Sequence, residues 1–138
     1  MQFIFTCACG DIAFCPTHYL KRIVERMRMM PDRTFLVQSK NPATFKRVKW
    51  PRNVILGVTI ETNRDDLAVR VSRAPPPSKR FRDFLAVEHE PKMVTHEPIM
   101  KFDLEALIEW DVKLNPALIW IGYDSCLLYT SPSPRDRG

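Results

Sequence analysis

The chain has few glycines, four in 138 residues, and contains neither G-x-G-x-x-G nor G-x-x-x-x-G-K-[ST]. Loops that wrap phosphates need such glycines because the backbone must come close to the ligand. The sequence also lacks the G-x-S-x-G turn of serine hydrolases and the H-E-x-x-H helix of zinc peptidases. These absences disfavour phosphate-loop nucleotide binding and the common hydrolase mechanisms.

Long hydrophobic runs are also missing, since no segment reaches the roughly 18 apolar residues of a membrane helix. The first ten residues, MQFIFTCACG, lack the basic start of a signal peptide. Of the four cysteines, three crowd between positions 7 and 15, and an odd, crowded set does not build a disulfide framework. We therefore expect a cytoplasmic protein without a membrane partner.

The composition is that of a globular chain, with 45% hydrophobic residues and a net charge of +5. Lysines and arginines are scattered, and most fall where solvated helix faces are expected. The positive net charge is compatible with a nucleic-acid partner, but the scattered basic residues support one only weakly.

The last residues, Cys126 to Gly138, do not continue the apolar pattern that precedes them. Back-translation of CLLYTSPSPRD matches the transposase adapter used to prepare sequencing libraries, as expected for a metagenomic fragment. We expect residues 126–138 to be a non-native, disordered tail, with residues 1–125 forming one domain of a longer gene product. A native disordered terminus and a phosphorylatable Ser-Pro tail are the alternatives.

Short apolar runs alternate with helical segments along the rest of the chain. The runs are Phe3 to Ala8, Thr34 to Gln38, Val54 to Ile60, Met93 to Thr95 and Leu118 to Gly122. Strands that are apolar throughout and alternate with helices predict an α/β fold with a parallel sheet. Two architectures satisfy this pattern, an open doubly wound sheet and part of a (β/α) TIM-like barrel.

Capping and proline patterns predict where the helices begin. Thr17 is expected to cap the first helix, which stops before Pro31, and Asp103 the last one. Shorter helical segments are expected after Asn41-Pro42, after Asn63 and after Pro75 to Pro77. Asp111 is unexpected because it falls on the apolar stripe of the last helix, which indicates either a rim carboxylate or a sequencing error.

Polar residues follow every predicted strand, and in a parallel sheet these ends lie at one edge, where α/β proteins bind ligands. Such a set could hold a cation, an amine or a polar cofactor, although Asp11 and Asn63 could simply cap the helices that follow them. The predicted ligand-facing residues are Asp11, Gln38, Lys40, Glu61, Asn63, Glu97 and Asp124.

A metal site is a minor alternative. Cys7, Cys9, Cys15 and His18 supply the ligand types of a tetrahedral zinc site. Their spacing matches no common zinc or iron–sulfur motif, and small thiols in a strand usually belong to the core.

Several segments resemble a family of phage and bacterial proteins assigned to the radical S-adenosylmethionine enzymes. They are, in chain order, FTCACGDIAF, TFLVQSKNPATF, VILGVTIETNRDD, SRAPPPSKRF, MVTHEPIMKFDLEALIEW and NPALIWIGYDS. The resemblance covers residues 3–125 and implies a partial (β/α) barrel. It also implies a [4Fe–4S] cluster, held by Cys-x3-Cys-x2-Cys, that binds and cleaves S-adenosylmethionine.

The sequence departs from that family at the cluster, because it contains no Cys-x3-Cys-x2-Cys. The resemblance implies that this motif lies upstream of Met1 in the complete gene, so we expect the fragment to hold neither the cluster nor S-adenosylmethionine and to be inactive alone. By position, Glu61 and Glu97 are the best candidates to face the cofactor or substrate. The alternative is a non-catalytic (β/α) barrel module that binds another molecule, nucleic acid included.

Overall fold

The computed structural model describes residues 3–6 and 10–123, and its centre is one sheet of five parallel strands. The strands follow the order β1-β2-β3-β4-β5, so neighbours along the chain are neighbours in the sheet. Their bounds are Ile4–Thr6 (β1), Phe35–Ser39 (β2), Val54–Thr59 (β3), Lys92–His96 (β4) and Leu118–Ile121 (β5). The predicted α/β class with a parallel sheet is confirmed.

The strand order bears on the two predicted architectures. A doubly wound sheet reverses its order at a switch point, and the five strands described here have no reversal. Consecutive order is the arrangement of neighbouring strands in a (β/α) barrel. Within the described residues, however, the sheet is open, with β1 and β5 at its edges, so a closed barrel is not confirmed.

In the part of the chain that the structure describes, four α-helices and two short 3-10 helices connect the strands. They are α1 (Thr17–Arg28), α2 (Asp65–Ala68), α3 (Pro77–Leu85) and α4 (Leu104–Leu114), with 3-10 helices at Ile12–Phe14 and Pro42–Arg47. Two predicted caps are wrong: Thr17 is already helical behind Pro16, and Arg64, not Asn63, precedes α2. No helix in the described ranges has the length and apolar character needed to cross a bilayer.

The helices form where apolar spacing and end signals coincide. In α1, Leu20, Val24 and Met27 are buried at spacings of four and three, which places them on one helix face. Helix α3 begins with Pro77, whose fixed φ suits a first turn. Helix α4 ends at Asn115, which has φ of 48°, a left-handed conformation that asparagine tolerates at a helix end.

The main core lies between the sheet and the helices. Alternate strand residues such as Val37, Leu56 and Val94 pack there with helix residues such as Leu20 and Phe84. The strand residues that point the other way form a second cluster, Leu36, Ile55 and Met93, with Phe3 packed against it. None of the helix residues in the described part of the chain belongs to this second cluster, so we call that side of the sheet the helix-free face.

Some predictions concern residues outside the described ranges. These are Cys7 and Cys9 after β1, Asp124 after β5, and the proposed tail at 126–138. The first predicted strand, Phe3 to Ala8, is described only as Ile4–Thr6.

Candidate functional site

A buried carboxylate lies at the carboxyl edge of the sheet, meaning the edge formed by the carboxyl ends of the strands. Glu61 follows β3 and is 4% exposed. Its Oε1 accepts a hydrogen bond from Nη1 of Arg80 at 2.7 Å, and its Oε2 lies 3.1 Å from Nζ of Lys40. One carboxylate therefore joins the end of β2, through Lys40, to helix α3, through Arg80.

Arg80 explains why Glu61 is held in place. The guanidinium is completely buried, and it donates from Nε to Pro75 O at 2.6 Å and from Nη1 to Thr59 O at 2.8 Å. Its Nη2 has no acceptor among the described residues. A buried cation needs a compensating anion and hydrogen bonds, so Glu61 is the anion that keeps Arg80 inside. Lys40 remains partly exposed and is the accessible member of the Lys40–Glu61–Arg80 cluster.

A second polar contact crosses the helix-free face. Gln38 on β2 donates from Nε2 to Oγ1 of Thr95 on β4, passing over β3. The crossing depends on Gly57, which pairs with Gln38 in the strand register. A Cβ at Gly57 would lie 2.9 Å from Gln38 Cγ, so only glycine leaves room for this side chain. Gln38, predicted as ligand-facing, thus helps to build the floor of the site.

The third contact lies at the other end of the carboxyl edge. Glu97 follows β4, and its Oε2 accepts a hydrogen bond from Nε1 of Trp120 on β5 at 2.9 Å. Trp120 pairs with Thr95 in register, which puts both on the helix-free face. A Cβ at Gly122 would lie 2.2 Å from Glu97 Oε2, so this glycine allows the carboxylate to lie over the end of β5.

Asp11 joins the segment after β1 to the end of β2. Its Oδ1 accepts from Ala13 N at 2.9 Å and from Ser39 Oγ at 2.6 Å, while Oδ2 accepts from Lys40 N at 2.9 Å. The predicted capping role is confirmed. The carboxylate also fixes the backbone of Lys40 and so orients a residue of the cluster.

Asn63 belongs to a separate surface clamp. Its amide donates to Asp103 Oδ2 at 3.0 Å and accepts from Asp103 N at 2.8 Å. Arg64 forms a 2.6 Å ion pair with the same carboxylate. The hydrogen bonds from Arg64 and then Asn63 lower the pKa of Asp103 to about 2. Asn63 therefore fixes the start of α4, and its hydrogen bonds do not connect it to the Lys40–Glu61–Arg80 cluster.

His96, the last residue of β4, is buried and pairs with the partly buried Asp111 of α4. Its Nδ1 lies 2.7 Å from Ile60 O, and its Nε2 lies 2.9 Å from Asp111 Oδ2. Burial lowers the pKa of His96, but the hydrogen bond to Asp111, the contact with Ile60 O and the charge of Asp111 together raise it above its ordinary value. Asp111 is therefore the partner of a core histidine, which explains its place on the apolar stripe.

Two of the four predicted metal ligands, Cys15 and His18, lie in the described residues, whereas Cys7 and Cys9 lie outside them. Cys15 is partly buried, and its Sγ lies 3.6 Å from Pro16 O. His18 is exposed and its ring lies 4.1 Å from that of Tyr19. Within residues 3–6 and 10–123, no group of three or more His, Cys, Asp or Glu side chains could hold a metal ion.

Sequence reasoning missed Arg80, Thr95 and Trp120. Each contacts a predicted residue that is distant in sequence, 19 residues for Arg80 and Glu61, 57 for Gln38 and Thr95, and 23 for Glu97 and Trp120. One indication was present for Arg80, because an arginine on the buried face of an amphipathic helix needs an anion.

Comparison with models of known protein families, with curated proteins and with solved structures gives no match, so the geometry of the site is the basis for proposing a function.

Proposed function

We propose that the carboxyl edge of this sheet is the ligand site of a (β/α)-barrel-type enzyme, and that the chain is part of the radical S-adenosylmethionine-type protein that it resembles. The observation that carries the proposal is the Lys40–Glu61–Arg80 cluster. A buried ion pair seldom adds net stability compared with apolar residues. The buried ion pair lies at the edge where α/β proteins bind ligands, and this position is consistent with a binding role.

The chemistry of this edge suits a small ligand that carries several polar groups. Lys40 offers a partly exposed cation, and Glu61 fixes the direction of its Nζ. Glu97 offers a carboxylate beside the exposed indole of Trp120. A ligand that spans β2 to β5 would meet a cation at one end and an anion with an aromatic surface at the other.

The residues that the structure describes do not fit the iron–sulfur cluster implied by the resemblance. Such a cluster needs several thiolates close together, and Cys15 is the single cysteine within the described ranges. The sequence also lacks the three-cysteine motif. In the proposed enzyme, the cluster is therefore held by a three-cysteine motif other than the cysteines of this sequence.

A nucleic-acid-binding module is less well supported at this edge. Several of the basic residues form internal contacts, because Arg80 pairs with Glu61, Arg64 pairs with Asp103, and Arg47 donates to the carbonyls of Ile12 and Cys15. Phosphate binding needs cations that are free to face the backbone of the nucleic acid. Lys40, the accessible cation of the cluster, does not by itself provide such a surface.

One long sequencing read across the source locus tests the assignment to the family. We expect the reading frame to continue upstream into Cys-x3-Cys-x2-Cys and downstream past Asp124 into residues other than CLLYTSPSPRD. A frame that begins at Met1 and ends at Gly138 would contradict the radical S-adenosylmethionine assignment.

A binding experiment tests the site itself. The sequence predicts that the fragment retains no bound cofactor, so S-adenosylmethionine is titrated in large excess into the ¹⁵N-labelled protein. We expect weak but saturable shifts of the Gln38, Lys40 and Glu61 amides, because the Lys40–Glu61–Arg80 cluster is formed without the iron–sulfur cluster. Lys40→Gln should weaken this binding, whereas Lys46→Gln, at an exposed position of the Pro42–Arg47 helix, should not. Unchanged amide spectra at the carboxyl edge, or equal binding by both variants, would count against the proposed site.

A further inference from the structure

We infer that Glu97, Trp120 and Gly122 form a subsite for a primary ammonium group of the ligand. The inference rests on the proposed function in one respect, namely that the carboxyl edge is where the ligand binds. It adds the charge and chemical class of the group that binds at the β4–β5 end of this edge.

Glu97 carries a negative charge that the described residues do not neutralise. Lys40 and Arg80 compensate Glu61, but Glu97 has no ion pair in the ranges 3–6 and 10–123, and its one side-chain hydrogen bond there comes from Trp120. That bond uses Oε2, so Oε1 keeps both of its acceptor positions. A carboxylate can accept about four hydrogen bonds, which leaves it able to receive the N–H groups of a cation.

The position of this carboxylate is built into the chain. Trp120 Nε1 holds Oε2 at 2.9 Å from one side. On the other side, any side chain at position 122 would begin 2.2 Å from the same oxygen. The charge is therefore fixed over β5, beside the indole, instead of pointing freely into solvent. Fixing a charged group before the ligand arrives lowers the entropy lost on binding.

Trp120 supplies the second element of an ammonium site. Its side chain is accessible, since the residue is 54% exposed, and it lies on the helix-free face with Thr95. Cations bind over the faces of aromatic rings, and tryptophan is the strongest such partner. A carboxylate beside an accessible indole can thus bind an ammonium group through both hydrogen bonds and the ring.

The chemistry favours an amine over a metal ion. Calcium takes six to eight oxygen ligands and magnesium demands an octahedral set, while Glu97 brings one carboxylate. An ammonium group needs one or two good acceptors and gains from the ring. Lys40 lies at the end of β2, where it pairs with Glu61 after β3, so the cationic part of a ligand is directed away from Lys40 and toward Glu97.

The test uses n-butylammonium as the probe and the indole Nε1–H signal of Trp120 as the readout, in the full 138-residue protein. We expect a saturable shift of this signal. Glu97→Gln, which keeps an oxygen acceptor for the indole, should weaken binding roughly tenfold or more because the charge-assisted hydrogen bonds are lost. Glu90→Gln, a matched change of an exposed glutamate that also precedes a proline, should leave binding unchanged.

Three further measurements make the result specific. The buried Trp50 indole, bonded to Phe45 O at 2.8 Å, should not shift, and n-butanol, which is neutral, should not reproduce the effect on Trp120. Gly122→Ala should also weaken binding of the probe, since it displaces the carboxylate. Equal affinity of the wild type and Glu97→Gln, or no saturable shift of Trp120, would overturn the inference.

The experiment separates the inference from the proposed function. If S-adenosylmethionine shifts the amides of Gln38 and Lys40 while butylammonium leaves Trp120 unchanged, the ammonium subsite is wrong and the ligand site stands. If butylammonium binds through Glu97 while S-adenosylmethionine does not bind, the subsite is confirmed for amines and the proposed S-adenosylmethionine site at the carboxyl edge of this fragment fails.

Discussion

At the carboxyl edge, the side chains of Glu61 and Arg80 each need the other as a partner to remain buried. Arg80 is fully buried and Glu61 nearly so, and both have left bulk water. Removing one partner leaves the other as an uncompensated charge in a region of low polarity, which is far more costly than losing an exposed pair. At the scale of single residues, the stability of the fold therefore depends on having both Glu61 and Arg80.

Glu61→Gln should lower the free energy of unfolding by about 3–5 kcal/mol, because Arg80 keeps its charge without a buried anion. Urea denaturation followed by circular dichroism measures this change. Asp103→Asn is the control, since it removes an exposed pair with Arg64 and surface pairs are worth about 1 kcal/mol or less. Equal losses in the two variants would contradict the burial argument.

Gly57→Ala should also destabilise the protein, by about 1–3 kcal/mol, the usual range for overpacking. The added methyl would lie 2.9 Å from Gln38 Cγ and would push the amide off Thr95. Shortening the crossing side chain removes the clash, so the double variant Gln38→Ala/Gly57→Ala should lose less than the sum of the single changes. If urea denaturation shows that the stability losses of the two single variants are strictly additive, the contact with Gln38 is not the reason why position 57 requires glycine.

At the scale of elements, the His96–Asp111 pair joins β4 to α4. Both ring nitrogens face oxygen acceptors, Ile60 O at 2.7 Å and Asp111 Oδ2 at 2.9 Å. An imidazole can donate from both nitrogens only when it is protonated. The geometry therefore favours an imidazolium paired with a carboxylate, in agreement with the raised pKa of His96.

This pair makes the attachment of α4 depend on pH. The pKa of His96 is higher in the folded protein than its usual value of about 6.5. Its stabilising effect is thus fully present below about pH 6.5 and is lost as the pH rises through the folded pKa. Unfolding free energies measured from pH 6 to 9 (about the range in which histidine titrates) should fall in the wild type.

Asp111→Asn should flatten that pH dependence, because the charge that raises the pKa of His96 is gone. Glu109→Gln, an exposed change on the same helix, should preserve it. Titration of the His96 ring protons by NMR gives the folded pKa directly. A His96 pKa that is the same in the wild type and in Asp111→Asn would contradict the assignment.

The same elements show what sequence can predict. The strands and most helices follow from apolar spacing, since each buries one face against the same core. The caps at Thr17 and Asn63 were predicted wrongly, because the choice among neighbouring polar residues depends on backbone angles and on partners such as Asp103. Asp111 appeared anomalous for the same reason: its partner His96 is 15 residues away and belongs to another element.

The seven predicted site residues divide by a similar rule. Glu61, Lys40, Gln38 and Glu97 follow or end strands, and the parallel sheet alone brings them to one edge. Their partners come from α3 or from neighbouring strands, through contacts that no local pattern encodes. The sequence pattern therefore predicts which residues lie at the carboxyl edge. Whether each of these groups is buried, paired or accessible depends on tertiary packing.

At the scale of the whole molecule, the described sheet ends in an edge strand with little cover. Every residue of β5 is exposed, from Leu118 at 38% to Ile121 at 65%. Helix α4 exposes Leu104, Ile108 and Val112, which lie four residues apart on one helix face. An open strand edge and an uncovered apolar helix face both favour association with other chains.

We therefore expect residues 1–124 to self-associate, with sedimentation velocity showing oligomers whose proportion rises with protein concentration. Replacing Ile108 and Val112 by lysine should shift the population toward monomer, because the two charges would resist burial against a second apolar surface. The matched control replaces Val69 and Val71, exposed apolar residues that follow α2, by lysine and should leave the oligomers unchanged. A monomer with one sharp, cooperative melt at all concentrations would contradict this expectation, because it would show that the exposed face of α4 and the edge of β5 are stable in solution without a second chain.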